Sequence, residues 1–242
     1  YACEVGFVAK LGEPLIDILA PQANERILDL GCGDGALTFK LIARGCEVVA
    51  VDSSAEQVEA ACGRGLNAFI ADGHRLQFDN EFNGVISNAA LHWMKRPDEV
   101  LEGVARALVS DGRFVAELGG EGNVARIVAE IETVLASRSI DVDSVNPWYF
   151  PAPDEYASRL EAHGFEIVSL QHFPRPTSLS VDISAWLEIF TMSFFRSLEP
   201  VDRADALAEL RTAVRDDLCD GAGNWEIDYV RLRFSAIKRA PR

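Results

Sequence analysis

The amino-acid sequence predicts an α/β fold built on a doubly wound parallel sheet. Three short apolar runs, at residues 26–30, 47–52 and 68–72, suit buried strands, and each leads into glycine or ends in an acidic residue. The i, i+3, i+4 apolar spacing of a helix occupies residues 36–44, between the first two runs. Strands that alternate with helices favour a parallel sheet whose ligands bind beyond the carboxyl ends of the strands.

The first apolar run leads directly into a loop with glycine at alternate positions, Gly31, Gly33 and Gly35. Glycine adopts positive φ without strain and carries no Cβ, so its backbone can approach a ligand closely. The predicted helix that follows offers backbone N–H groups to polar ligand atoms. We interpret the loop as a nucleotide-type cofactor site, and the alternative interpretation is a tight strand-to-helix turn without a ligand.

Acidic residues accompany this loop and end the next two strands. Asp52 ends the second apolar run, where a doubly wound fold holds a ribose through its hydroxyls, and Asp72 ends the third. A dinucleotide-binding loop has the spacing GxGxxG and faces a pyrophosphate, whereas this loop carries Asp29 and Asp34. Negative charge is unfavourable beside a pyrophosphate and favourable beside a cation, so the loop suits a cationic cofactor.

The loop sequence Leu-Asp-Leu-Gly-Cys-Gly-Asp-Gly at residues 28–35 resembles motif I of the class I S-adenosylmethionine-dependent methyltransferases. The resemblance implies a Rossmann-like, seven-stranded sheet whose last strand is antiparallel, with S-adenosyl-L-methionine as the cofactor. It also implies that the glycines lie under the methionine part of the cofactor, that Asp52 binds the ribose hydroxyls and that Asp72 faces the adenine amino group. The cofactor-binding residues inferred on this basis are Asp29, Gly31, Gly33, Gly35, Asp52, Ser53, Asp72, Gly73 and Asn88.

The fourth predicted strand comprises residues 82–88, and the loop that follows it indicates the class of methyl acceptor. It begins Asn-Ala-Ala-Leu-His-Trp at residues 88–93 and follows the carboxyl end of its strand. This sequence resembles the small-molecule branch of the family that includes trans-aconitate methyltransferase, and the proline-proline-aromatic tetrad of amino-methylating DNA enzymes is absent. The resemblance implies methyl transfer to a carboxylate oxygen of a small acid similar to trans-aconitate. An acyl-carrier-protein-bound acid or a natural product is the alternative acceptor.

Three basic residues, His92, Arg175 and Arg196, are the candidates for contact with the acceptor. A carboxylate acceptor has a reference pKa near ~4 and is ionised at neutral pH, so it needs orienting cations and no general base. A phenol or an amine would need a base, and His92 is then the best available residue. Structural roles are the alternative for each: a histidine that only makes structural hydrogen bonds, and arginines that are solvated.

The second half of the chain predicts further helices and two more strands. Residues 181–220 break the alternation of strands and helices, and we interpret them as a helical lid inserted between the last two strands of a single methyltransferase domain, residues 1–242. The predicted elements are a helix at 120–138, a helix from 154 to 161 or 163, a strand at 165–173, helices at 183–198 and 202–218, and a strand at 225–238.

Composition and charge disfavour several other kinds of protein. With 38 acidic residues against 23 lysines and arginines, the net charge of −15 disfavours binding to nucleic acid. The five cysteines include no Cys-x-x-Cys pair, which disfavours a metal site and a disulfide framework. No apolar stretch reaches the roughly 18 residues of a membrane helix and no signal-peptide pattern opens the chain, so we expect a cytoplasmic protein with no membrane partner. The start at Tyr1 leaves open a leader before it, and the oligomeric state is left open too.

Two other classes of protein share parts of this pattern. A nicotinamide oxidoreductase would use the same sheet but is disfavoured by the glycine spacing and by Asp29 and Asp34. A regulator that binds the cofactor without catalysis would keep the glycines and Asp52 and would bind no acceptor. In a methyltransferase, Tyr1 and Phe7 are expected to contact the sulfonium region through cation–π attraction.

Overall fold

The computed structural model describes residues 11–239, so Tyr1 and Phe7, which the sequence predicts to contact a sulfonium, lie outside the described residues. The chain divides into two compact units. The first unit comprises the described residues up to 121, together with 149–172 and those from 231 onward. The second unit comprises residues 122–148 and 173–230.

Most of the strands belong to one large sheet. Within residues 11–239 the strands are β1 (Arg26–Leu30), β2 (Glu47–Asp52), β3 (Ala68–Ile70), β4 (Phe82–Asn88), β5 (Leu108–Gly119), β6 (Phe165–Pro174), β7 (Thr177–Ser178), β8 (Glu226–Ile227) and β9 (Val230–Lys238). The large sheet has the order β3-β2-β1-β4-β5-β9-β6. Its first five strands pair in parallel, whereas β9 runs antiparallel to β5. The predicted seven-stranded, Rossmann-like sheet with an antiparallel last strand is confirmed.

Helices connect the strands. Within the same range they are α1 (Glu13–Leu19), α2 (Ala36–Ala43), α3 (Ala55–Gly63), α4 (Pro97–Ala107), α5 (Ala125–Ala136), α6 (Val142–Val145), α7 (Pro153–Ala162), α8 (Ser184–Phe190), α9 (Pro200–Ala213) and α10 (Arg215–Leu218). Proline opens α4, α7 and α9, at a position where its missing N–H breaks no intrahelical hydrogen bond. None of these described helices is both long and apolar enough to cross a bilayer.

The two faces of the large sheet are apolar and pack against different helices. On one face, Phe114 of β5 belongs to a buried cluster with Leu101 of α4. On the other face, Val115 of β5 belongs to a buried cluster with Leu15 of α1. Successive side chains of a strand alternate between faces, so residues i and i+2 share a face. This alternation assigns each side chain at the carboxyl end of a strand to one face.

The predicted helix at 120–138 begins later, at Ala125, so its predicted start was wrong. Gly122 and Val124 have φ values of +77° and +49°, which are left-handed and cannot belong to a right-handed helix. Between them, the side-chain oxygen of Asn123 accepts a hydrogen bond from the backbone N–H of Val230 at 3.0 Å. The chain therefore forms a turn before α5.

The predicted helix at 183–198 was too long, because α8 ends at Phe190 and turns follow it. Phe194 and Phe195 are buried at 1% and 0% exposure, so apolar side chains here enter the core from irregular backbone. The predicted helix at 202–218 is also divided, into α9 and α10, on either side of Val214.

The predicted strand at 225–238 is two separate strands, β8 and β9. In the second unit, β8 pairs antiparallel with β7, so a small two-stranded sheet that the sequence did not predict precedes β9. Residues 181–220 lie in the second unit, and their role as a lid stays a prediction.

Candidate functional site

The alternate glycines of the β1–α2 loop share a left-handed backbone but differ in their surroundings. Their φ values are +76° at Gly31, +55° at Gly33 and +82° at Gly35. A Cβ at Gly31 would lie 2.2 Å from Cβ of Ala90, and one at Gly35 would lie 2.0 Å from Cδ1 of Leu66, so protein atoms occupy both places. A Cβ at Gly33 would have no atom nearer than 3.8 Å. A Cβ at Gly33 would therefore meet only an ordinary van der Waals contact, so no clash with protein atoms excludes a side chain there.

The Asp52 carboxylate at the end of β2 joins this loop to the next one. Its Oδ2 accepts the N–H of Gly33 at 2.9 Å, and its Oδ1 accepts the N–H of Ser54 at 2.9 Å. A carboxylate oxygen has two lone pairs, so each oxygen can still accept a hydrogen bond from a ligand hydroxyl. Ser53 lies exposed beside it. The two hydrogen bonds hold the Asp52 carboxylate against the backbone of Gly33 and Ser54.

Asp29 lies beneath the glycine loop, with only 2% of its surface exposed. Its Oδ2 accepts a hydrogen bond of 2.6 Å from Oγ1 of Thr38, which ties the end of β1 to α2. Burial raises the pKa of this carboxyl to about 6, and the charge of Asp52 acts in the same direction while Thr38 opposes it. Asp29 supports the loop and adds negative charge behind it.

Asp34 differs from Asp29 because an arginine compensates its charge. Nη1 of Arg64 contacts Oδ2 of Asp34 at 2.8 Å, and the same guanidinium lies 4.7 Å from the centroid of the Phe39 ring. This ion pair offsets the negative charge that Asp34 adds to the loop. Within residues 11–239, no group of three or more His, Cys, Asp or Glu side chains could hold a metal ion.

Asp72, which follows β3, is held as a hydrogen-bond acceptor. Its Oδ1 accepts the backbone N–H of His74 at 3.0 Å and lies 2.6 Å from Nδ1 of the same residue. The backbone hydrogen bond, with help from the histidine side chain, lowers the pKa of this carboxyl, which is therefore ionised at neutral pH. The adjacent Gly73 packs closely, because a Cβ there would lie 2.7 Å from Sδ of Met94.

Asn88, the last residue of β4, lies against the start of α1. A Cβ at Gly12 would lie 2.7 Å from Cγ of Asn88, so glycine permits this approach. The next residue, Ala89, has φ +54° and donates its N–H to the carbonyl oxygen of Glu117 at 2.8 Å. The chain therefore turns sharply beyond Asn88.

His92 lies in the 3₁₀ turn Leu91–Trp93 after β4 and is 7% exposed. Its Nδ1 accepts the backbone N–H of Gly119 at 3.1 Å, which leaves the ring proton on Nε2. Burial, with a smaller contribution from the charge of Arg231, lowers the pKa of the imidazole to about 3. At neutral pH His92 is uncharged, so it can donate a hydrogen bond but supplies no positive charge for a carboxylate.

The two predicted arginines belong to the second unit, whereas the predicted cofactor-binding residues belong to the first. The backbone N–H of Arg175 donates to the carbonyl oxygen of Tyr229 at 2.7 Å, and its guanidinium lies 5.1 Å from the ring centroid of Phe173. Arg196 is exposed, and its carbonyl oxygen accepts a hydrogen bond from Nη2 of Arg203 at 3.4 Å. Their contact with an acceptor stays a prediction.

Sequence reasoning missed three charged residues of the first unit, Glu117, Arg231 and Arg233. Glu117 and Arg231 are 3% and 6% exposed. Nε and Nη2 of Arg233 lie 2.8 and 2.7 Å from Oε2 of Glu117. Polar and apolar residues alternate along this part of β9, which is also the pattern of a strand with one solvated face. The pattern alone therefore gave no sign that Glu117 and Arg231 are buried and that Arg233 is only partly exposed.

Comparison with known proteins identifies relatives along the whole chain. A family model described as a methyltransferase domain matches residues 28–116. An uncharacterized methyltransferase of Schizosaccharomyces pombe is 36% identical over 251 residues, which cover 98% of this chain and 96% of that protein. A trans-aconitate 2-methyltransferase of Mycobacterium sp. strain KMS is 36% identical over 121 residues, which cover 48% of this chain and 48% of that protein.

Solved structures of methyltransferases have a similar fold. A putative methyltransferase from Bacillus halodurans aligns with a TM-score of 0.64 and 17% identity, covering 94% of this chain and 98% of that chain. Phosphoethanolamine N-methyltransferase 2 of Haemonchus contortus, solved in complex with S-adenosyl-L-methionine, aligns with a TM-score of 0.61 and 15% identity, covering 96% of this chain and 53% of that chain. At these identities the likeness concerns the fold alone.

Proposed function

The chain belongs to the class I S-adenosylmethionine-dependent methyltransferases, and we propose that its methyl acceptor is a carboxylate oxygen of a small organic acid. The observation that carries this acceptor class is the 36% identity with trans-aconitate 2-methyltransferase over 121 residues. That alignment covers 48% of the chain, so the acceptor is proposed and not carried over from the relative.

The first unit contains residues that fit this cofactor. A Cβ placed at Gly33 would have no protein atom nearer than 3.8 Å, and the Asp52 carboxylate beside it keeps lone pairs for the two ribose hydroxyls. The ionised carboxylate of Asp72 suits the adenine amino group. Asp29 adds negative charge near a ligand that carries a sulfonium and an ammonium. The other proposed cofactor-binding residues are Gly31, Gly35, Ser53, Gly73 and Asn88.

The protein contributes mainly position and shielding to this reaction. When bound, S-adenosylmethionine would supply a methyl group that is activated by a sulfonium, because the leaving group is a neutral thioether. Residues of the chain hold the acceptor in line with that methyl group and exclude water. A carboxylate is already ionised at neutral pH, so the uncharged, hydrogen-bonded state of His92 is compatible with the reaction. His92 would then donate a hydrogen bond from Nε2, and Arg175 and Arg196 stay proposed as orienting cations.

Methyl transfer from radiolabelled S-adenosylmethionine to a panel of small molecules tests the proposed acceptor. The panel contains trans-aconitate, other di- and tricarboxylates, a phenol and a primary amine of similar size. We expect label in the acids as alkali-labile methyl esters, because an ionised carboxylate needs no base. Label in the phenol or amine, with none in the acids, would contradict the proposal.

The Asp52→Ala variant separates cofactor binding from acceptor choice in this assay. It removes the carboxylate that faces Gly33, so S-adenosylhomocysteine should bind more weakly by calorimetry and no acid should be labelled. Glu59→Ala, at an exposed position of α3, is the matched control and should behave as the wild type.

A further inference from the structure

Polar side chains cross three adjacent strands near the carboxyl edge of the large sheet. Asn88 of β4 is paired in register with Glu117 of β5, and Glu117 is paired with Arg233 of β9. Arg231 is paired with Gly119, the last residue of β5. We call Asn88, Glu117, Arg231 and Arg233 the polar row.

The charged members of the polar row lie on the face of the sheet that α1 covers. Val115 packs in the cluster with α1, and Glu117 follows it by two residues, so the two share a face. On β9, Leu232 packs in the cluster on the opposite face, which places its neighbours Arg231 and Arg233 on the α1 face. The contact between Arg233 and Glu117 agrees with this assignment.

The charges of the polar row are shielded from solvent. Glu117 is 3% exposed and Arg231 is 6% exposed, and the side chain of Arg233 is 15% exposed where it contacts Glu117. Removing charged groups from water costs free energy, and a buried ion pair is often no more stabilising than apolar residues of similar volume. The stability of the fold therefore explains these charged residues poorly, whereas the binding of a charged ligand would explain them directly.

Two contacts place the polar row beside the predicted reaction centre. Gly31 of the cofactor loop packs on Ala90, two residues beyond Asn88, where an added Cβ would lie 2.2 Å away. Gly119 donates its N–H to Nδ1 of His92, and Gly119 is the residue of β5 that is paired in register with Arg231. The polar row therefore begins beside the cofactor loop and ends beside His92.

We propose that Arg231 binds and orients the carboxylate of the methyl acceptor, with Arg233, held by Glu117, as a second cation; this assignment rests on the carboxylate acceptor proposed above. A guanidinium presents paired N–H donors that match the two oxygens of a carboxylate. Each oxygen held in this way keeps a second lone pair, which forms the new O–CH₃ bond as the S–CH₃ bond breaks. In shielded surroundings this attraction is only weakly screened.

Substitutions of Arg231 in the full chain test this role, with trans-aconitate as the probe acid. Arg231→Gln removes the charge and keeps a polar side chain, and Arg231→Lys keeps the charge without the guanidinium fork. Arg113→Gln is the matched control, because Arg113 also lies on the β5–β9 ladder and pairs with a glutamate, Glu25, away from the polar row. The measurements are KM and kcat for the acid, Kd for S-adenosylhomocysteine and the thermal midpoint.

We expect Arg231→Gln to raise KM for trans-aconitate about 10- to 100-fold, the range expected for a lost charge-assisted hydrogen bond. The KM of Arg231→Lys should lie between that of Arg231→Gln and that of the wild type, and Arg113→Gln should keep the wild-type KM. Kd for S-adenosylhomocysteine should stay unchanged in all three. If the glutamine variant fails to fold, the lysine variant alone should still show the rise in KM.

Other outcomes overturn the assignment in distinguishable ways. A wild type that methylates trans-aconitate, with an unchanged KM in the Arg231 variants, contradicts the role of Arg231 and leaves the proposed function intact. If the Arg231 variants have lower thermal midpoints and bind S-adenosylhomocysteine more weakly but keep the wild-type KM, Arg231 is a structural residue. This result also contradicts the role of Arg231 and leaves the proposed function intact. A wild type that methylates no acid contradicts the proposed acceptor, and the assignment of Arg231 falls with it.

Discussion

Single residues of one type serve different purposes in the glycine loop. All three glycines have positive φ, yet a Cβ would clash with Ala90 at Gly31 and with Leu66 at Gly35, whereas a Cβ at Gly33 would meet no clash. The sequence predicted the need for glycine at each position. It could not separate glycine that close packing requires from glycine whose surroundings leave room for a Cβ, because the atoms that fill the first two places come from later parts of the chain.

Asp29 gives the stability of the folded chain a particular dependence on pH. Burial raises its pKa from 3.8 to about 6, so between these values the folded state holds a proton that the unfolded state releases. The wild type therefore loses stability as the pH rises through this window. A difference of one unit between the folded and unfolded pKa corresponds to about 1.4 kcal/mol, so the folded state loses about 3 kcal/mol of stability across the whole window.

Asn at position 29 cannot titrate, so the Asp29→Asn variant should lack this loss. Between pH 4 and pH 7, without ligand, its free energy of unfolding should rise relative to that of the wild type by about 2 kcal/mol, which is most of the full effect. Urea denaturation at several pH values measures the difference. A difference that stays constant with pH would show that Asp29 has its ordinary pKa.

The β5–β9 pair contains the ion pair between Glu117 and Arg233. In Glu117→Gln the guanidinium of Arg233 would face a neutral amide in a shielded place, and we expect a loss of about 3 kcal/mol in the free energy of unfolding. Glu25→Gln removes the partner of Arg113, where the two side chains are 21% and 26% exposed, and should cost about 1 kcal/mol or less. Chemical denaturation at pH 7 compares them, and equal losses would contradict the argument from burial.

Strands and helices were not equally predictable from the sequence. The strands β1 to β4 follow from short apolar runs that end in glycine, acids or asparagine, because strands buried on both faces need such runs. The end of α8 did not follow, because Phe194 and Phe195 keep an apolar spacing while their backbone is irregular. Arg231 was missed for a related reason: its burial depends on its pairing with β5, which lies more than a hundred residues earlier.

Cofactor binding should stabilise the folded chain, and it should do so through the first unit, which contains all the predicted cofactor-binding residues that the structure describes. S-adenosylhomocysteine at about 100 times its Kd should stabilise the folded chain by about 2.7 kcal/mol. For a chain of this length that corresponds to a rise of about 5–10 °C in the thermal midpoint. Differential scanning fluorimetry measures it, with NAD at the same concentration as the control. A rise with NAD and none with S-adenosylhomocysteine would refute the cofactor assignment.

One way to change the acceptor preference is to replace segment 89–93 with the corresponding segment of a relative. Such a replacement is limited by steric contact at Ala90. The Cβ of Ala90 fills the space beside Gly31, so a larger residue at position 90 would displace the glycine loop. Such a chimera would lose cofactor affinity for a reason unrelated to the acceptor. Donor segments with alanine or glycine at this position avoid the defect, and any other donor needs a compensating change in the glycine loop.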